Sequence, residues 1–168
     1  MALVQLEGSH VRPRLLGCWS VHGVSWWIRL TAALDEVEVM IAALEADRVL
    51  AAVEVWASGA RSRRRYTAAT LYRSGEYLGM LKGELFRLGW MVREVESGVW
   101  PRRFALPLGK QGRGGPHTGA HRVREAGTLV TGAHQRLESM KAATAAQRER
   151  RVALAEAMLI AAWGAHGA

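Results

Sequence analysis

The chain reads as a mainly α protein: a helical bundle with one long antiparallel helix pair, a long basic Gly/Pro-rich loop and an irregular, partly β N-terminal arm. Three observations carry this reading. Apolar residues recur at three- and four-residue spacing over 31–57 and 62–96, two further apolar stripes mark 126–163, and residues 97–125 between them lose all periodicity. With 168 residues, one domain is expected, large enough to bury roughly two thirds of its unfolded surface without a disulfide or metal staple.

Residues 1–30 form an apolar arm dense in tryptophan (Trp19, Trp26, Trp27). ALVQL and VSWWIRL have strand composition, and the Gly, Pro and His punctuation between them equally suits an irregular arm. The tryptophans fill the core end of the helices or hook onto a neighbouring subunit.

Residues 31–57 are expected to be the first helix. Thr31 is its N-cap, acids follow in the first turns, and Leu34, Val37, Ile41 and Leu44 share a face. Leu30, Val49, Val53 and Trp56 widen that face until little of it could meet water, and Ser58-Gly59 is the stop.

Residues 62–96 are expected to be the second, longer helix of the pair. Leu71, Leu78, Leu81, Leu85, Leu88, Val92 and Val95 follow the heptad spacing of a helix packed lengthwise against another. Gly75, Gly79 and Gly83 recur on an adjoining stripe. Each glycine costs about 1 kcal/mol in a helix interior. Two causes are open: close approach of a neighbouring helix, or a nucleic acid or partner chain laid against bare backbone.

The segment 97–125 carries Pro101, Pro107 and Pro116 and a high density of glycine, and is expected to be a long loop pinned at its start by Trp100 and Phe104. The C-terminal helical region, 126–165, is expected to break near Gly132. Leu129, Ala133, Leu137 and Met140 form one stripe, and Val152, Ala155, Leu159 and Trp163 another. The polar KAATAAQRERR between them is a solvent-facing turn or a further basic contact.

Charge is sorted along this framework. Of 23 basic side chains only Lys82, Lys110 and Lys141 are lysine. Residues 31–58 are net −5, whereas 59–93 and 98–124 are each net +6, against +8 for the whole chain. A GC-rich genome enriches arginine without any ligand, but it does not sort charges by region. The asymmetry therefore predicts a face that meets a polyanion, and arginine's planar fork suits phosphate oxygens in particular.

The first cluster, Arg61, Arg63, Arg64 and Arg65 with Arg73 beyond it, precedes or opens the long helix, where cations oppose the macrodipole unless an anion sits among them. In the other placement the first helix runs on through Gly59 and these arginines lie at its C-terminal end, where the dipole favours them. Tyr66 and Tyr72 nearby stack on bases or pack in the core. The second cluster is Arg102, Arg103, Lys110, Arg113, Arg122 and Arg124, with no acid among them. Gly109-Lys110-Gln111 lacks the Ser or Thr of a nucleotide-binding P-loop, so nucleotide hydrolysis is not expected. Arg113-Gly114-Gly115 is a single copy of the arginine-glycine tract that grips RNA.

His117, His121 and Glu125 stand at four-residue intervals, but the surrounding residues do not make a zinc-protease pattern. They read as polar loop groups. No nucleophile with a base is visible, Cys18 is a lone apolar filler, and no enzyme activity, cofactor or small-molecule substrate is expected. The absence of a signal-like N-terminus, a membrane span or a second cysteine predicts a cytoplasmic protein.

A basic, nearly all-helical chain of this size, with a long basic loop between helices, resembles the small helical subunits of multisubunit CRISPR effector complexes. That likeness implies backbone contacts to a guide ribonucleoprotein, contacts to neighbouring subunits and no catalysis. The function expected is thus a non-catalytic subunit that binds RNA or DNA backbone without sequence readout. The alternative is a structural protein of a phage particle or similar assembly, whose basic loop meets acidic protein partners.

Overall fold

The computed structural model describes residues 1–5, 12–19, 25–45, 49–55, 67–96, 100–104, 116–140 and 142–166. Helices dominate, as expected, but they are laid around two small sheets. In chain order the elements are β1 (Ala2–Gln5), β2 (Arg14–Cys18), α1 (Trp26–Ala43), β3 (Leu50–Val55), α2 (Ala68–Arg87) and β4 (Met91–Glu96). There follow α3 (Trp100–Arg103), α4 (Pro116–Leu129), α5 (Ala133–Glu138) and α6 (Ala145–His166).

The N-terminal arm is an antiparallel hairpin of β1 and β2, so ALVQL holds its strand, whereas the tryptophans of VSWWIRL open α1. Thr31 is not the N-cap. It lies inside α1, where its hydroxyl donates to the carbonyls of Trp27 and Ile28.

Both long helices end earlier than their apolar spacing implies, and a strand follows in each segment, Leu50–Val55 in the first and Met91–Glu96 in the second. β3 and β4 pair in parallel, with Leu50 opposite Met91 and Val55 opposite Glu96. The seam continued by Val92 and Val95 is therefore split: Val92 packs with the α1–α2 side and Val95 with the opposite side. On a pleated strand, residues an odd number apart point to opposite faces, so helical spacing cannot persist there. Gly89, at φ 74°, turns the chain out of α2 into β4.

The sheet lies between two helical layers. On one face Leu30, Leu34, Val53 and Leu85 are buried, with Trp26, Trp27, Leu78, Leu81 and Leu88 packed around them. On the other, Val95, Trp100, Val130, Leu137, Met158 and Leu159 form the larger core beneath α4, α5 and α6. A Cβ on Gly164 would lie 2.9 Å from that of Ala52, so α6 can seat this close to β3 only with glycine there.

The helix pair runs in the same direction, not antiparallel. Trp26, at the start of α1, has its ring centre 4.5 Å from that of Tyr77 of α2 in a tilted contact, while Asp35 and Glu38 further along α1 act electrostatically on Arg87 at the end of α2. Each helix is followed by a strand of one parallel pair, and this imposes a common direction.

The segment expected to be a loop contains two helices. Pro116 is the first residue of α4, where its missing N–H costs nothing. Gly119 is a packing glycine: a Cβ there would lie 2.9 Å from Val152 of α6. Trp100 is buried and Phe104 packs against the larger core, as expected. The break at Gly132 is present, with φ 85°. Before α6, Thr144 and Gln147 exchange side-chain and backbone hydrogen bonds at 3.1 and 3.2 Å, a capping box.

Candidate nucleic-acid interface

The arginine segments are attached at one end of the sheet. Val55 and Glu96 are register partners at the carboxyl ends of β3 and β4. Beyond Val55 the chain passes through Arg61, Arg63, Arg64 and Arg65, which lie outside the described residues, and re-enters at Thr67 before α2. Beyond Glu96 it re-enters at Trp100. Because residues 50–55 are strand, the placement of the first cluster at the C-terminal end of a continuing first helix is excluded.

Trp100 fixes the second attachment. Its indole N–H donates to Glu54 Oε1 at 2.8 Å, clamping the single turn of α3 to the end of β3. Pro101 beside it is buried, and Arg102 projects outward from this anchored turn. Arg103 follows in the same turn. Arg122 of α4 has its guanidinium 5.7 Å from the Trp100 ring centre and forms an ion pair with Glu156 of α6. Burial pushes the Arg122 pKa down, and the carboxylate of Glu54 pulls it the other way. Its Nε is buried without a hydrogen-bond partner among the described residues. Arg122 is thus engaged inside the fold, which corrects its placement among the open cations of the second cluster. Arg124, two residues on, is exposed.

Helix directions gather further charge here. Gly119 lies against Val152 and Arg122 meets Glu156, so α4 and α6 run side by side in the same direction. Glu156 is tied through Arg122 and Trp100 to the carboxyl end of β3, whereas Gly164 lies beside Ala52 and Leu50. α6 therefore runs against β3, and its eleven residues before Glu156 extend roughly 16 Å beyond that level at 1.5 Å per residue. Arg148 and Arg150 are on this extension, and Arg148 donates to the carbonyls of Ala142 and Ala143. Arg151 pairs with Glu138 at 3.7 Å.

The N-termini of α1, α2, α4 and α6 thus all face the carboxyl end of the parallel strands, and each brings the positive end of its dipole there. Exposed Arg73 lies in the early turns of α2 at this end. Lys110 and Arg113 lie outside the described residues, on the segment between α3 and α4. Acids are set among these groups too, including Glu96 and Glu149, with Glu54, Glu156 and Glu138 engaged by Trp100, Arg122 and Arg151. The opposite pole is acidic: Asp35, Glu36 and Glu38 occupy the outer part of α1, with Glu45 just past its end.

Among the described residues no three His, Cys, Asp or Glu side chains converge as metal ligands. α4 does put His121 and Glu125 on one helical face, a consequence of its starting at Pro116. Tyr72, assigned either to base stacking or to the core, is exposed, and Tyr66 lies outside the described residues. A cavity of about 950 Å³ lies between β1, α1, the β3–β4 sheet, α2 and α6. Its lining is apolar apart from Gln5, Glu45, Glu54, Ser74 and Tyr77. Among the described residues no helix is long and apolar enough to cross a membrane.

The cations are visible in the sequence as residue types, whereas the Trp100–Glu54–Arg122 corner is not. An isolated Trp-Pro inside an apparent loop was its only trace. No protein-family model, curated protein or solved structure matches this chain.

Proposed function

We propose that the protein is a non-catalytic subunit of a nucleoprotein assembly that grips the phosphate backbone of RNA or DNA at the carboxyl end of its parallel strands. One observation carries the reading: both arginine segments leave the sheet from the register pair Val55 and Glu96, at the end to which four helix N-termini point. Crevices outside the carboxyl ends of parallel strands are where α/β units receive phosphates, through free N–H groups and helix dipoles. In this reading Arg61, Arg63, Arg64 and Arg65, which lie outside the described residues, would supply one arm of the groove. Arg102, Arg103 and Arg124 would supply the other, together with Lys110 and Arg113 outside the described residues, with Arg73 at the same end and Arg122 anchoring the corner. The reading is of backbone contact without sequence readout, because arginine's planar fork pairs with phosphate oxygens, which carry no sequence information. A small subunit of a cytoplasmic guide ribonucleoprotein, of the CRISPR effector kind, suits the chain's size, helix content and charge.

The electrical polarity of the molecule favours a second reading. With acids at one pole and arginines at the other, copies could add head to tail in a particle whose basic end meets acidic protein surfaces. Purification from the native host separates the two. A 260/280 absorbance ratio well above that of pure protein, abolished by nuclease, supports the first reading; a nucleic-acid-free complex with an acidic protein supports the second.

A further inference from the structure

One face of α2 has no counterpart among the described residues. Its inner face, Leu78, Leu81, Leu85 and Leu88, is spent on the sheet. On the outer face Tyr72 is 70 % exposed and Phe86 60 %, and a Cβ placed on Gly75, Gly79 or Gly83 meets nothing within 4 Å. The expectation that a neighbouring helix of the same chain explains these glycines finds no such helix among the described residues. Two large rings on one exposed helix face mark a contact surface.

The residues of this face are arranged symmetrically about Gly79. Tyr72 and Phe86 stand seven positions to either side, Gly75 and Gly83 four, and Glu76 and Lys82 three. A second α2 laid antiparallel about a twofold axis at Gly79 sets Tyr72 level with Phe86 of the other copy and Gly75 level with Gly83. Gly79 then meets its own equivalent, and Glu76 comes level with Lys82. A closed twofold contact requires that if residue i meets residue j, then j meets i. Ring with ring, bare backbone with bare backbone, and acid with base all satisfy that condition about one centre. Lys82 already holds Glu94 within its own chain, and its ammonium has further donors for Glu76.

The charges also decide against other occupants. A parallel pair would set Glu76 against Glu76. A nucleic acid would be repelled by Glu76 in the middle of the face, and it has no use for the twofold pattern. The geometry points to a homodimer closed by antiparallel packing of α2 on α2, with the glycines allowing the backbones to approach closely. The two basic poles then lie at opposite ends of the dimer. This goes beyond the phosphate reading and does not depend on it, because either can fail while the other stands.

The test uses the full chain, free of nucleic acid, in sedimentation velocity across the micromolar range. The expected species has twice the 18.5 kDa chain mass. Gly79→Leu, a better helix former, should keep the helical circular dichroism and weaken dimerisation by about tenfold or more. In a Cys18→Ser background, Gly79→Cys chains should cross-link to one another on mild oxidation. Gly75→Cys chains should cross-link with Gly83→Cys chains faster than either does with itself. A monomer at every concentration, a dimer indifferent to Gly79→Leu, or preferential cross-linking of Gly75→Cys with itself overturns the inference. So does a monomeric chain whose α2 amides become protected only when RNA is added, because the face then belongs to the nucleic acid.

Discussion

The indole N–H of Trp100 donates to Glu54 Oε1 at 2.8 Å across a sequence separation of 46 residues. This bond joins the end of one parallel strand to the helical turn that follows the other. It also sets the ring over which Arg122 lies, so it orients the corner from which Arg102 projects.

Trp100→Phe is expected to keep most of the packing and lose the bond, leaving the Glu54 carboxylate without its donor. A hydrogen bond to a charged group contributes about 1.5–3 kcal/mol, and partial exposure of the site favours the lower figure. Trp100→Ala removes the buried ring as well and should cost about 3–5 kcal/mol. Urea unfolding of the two variants beside the parent chain checks both values. Equal losses would show that the hydrogen bond, not the ring, anchors the corner.

Two glycines should respond in opposite directions to the same added methyl. Gly79→Ala meets open space in a helix interior and should stabilise the isolated chain by about 1 kcal/mol. Gly164→Ala drives a Cβ to within 2.9 Å of Ala52 and should destabilise by about 1–3 kcal/mol through overpacking. Thermal unfolding, at concentrations where the chain is monomeric, gives both signs in one experiment.

The capping box at the start of α6 gives a third expectation. Thr144→Ala removes the acceptor for the Gln147 N–H and should cost about 1 kcal/mol. Thr144→Ser keeps the acceptor and should cost a small fraction of that. Amide exchange read by NMR should place the loss in the first turn of α6, at the end where Arg148 and Arg150 sit.

Much of this molecule was legible from its residues, and the failures share a physical cause. Apolar spacing announced the helical parts of 31–57, 62–96 and 126–163, and Gly132 the break, but the first helix already begins at Trp26 inside the expected arm and the last at Ala145 inside the polar stretch expected to be a turn. β3 and β4 did not, because Val53 continues the apolar surface of the helix before it, and Val92 and Val95 continue that of α2. Their assignment as strands comes from pairing across more than thirty residues, which periodicity does not record. Pro116 and Gly119 resembled loop punctuation although one starts a helix and the other lets two helices touch. For the site, counting charge by segment located the cations, but their meeting at one end depends on a parallel register that no local pattern encodes. Arg122 illustrates the same limit: its pairing partner, Glu156, is 34 residues away in the C-terminal helix.

The central claim, a phosphate groove at the carboxyl end of the strands, is tested most directly by the salt dependence of binding to a single-stranded RNA and a DNA of mixed sequence. If six to ten phosphates are neutralised, affinity should fall by about a thousandfold or more between about 50 and 200 mM salt, with little preference among sequences. Replacing Arg61, Arg63, Arg64 and Arg65 by alanine, or Arg102 and Arg124 by glutamate, should each flatten the slope without unfolding the chain. Affinity that is indifferent to salt, or a slope unchanged by both sets of substitutions, would contradict the account.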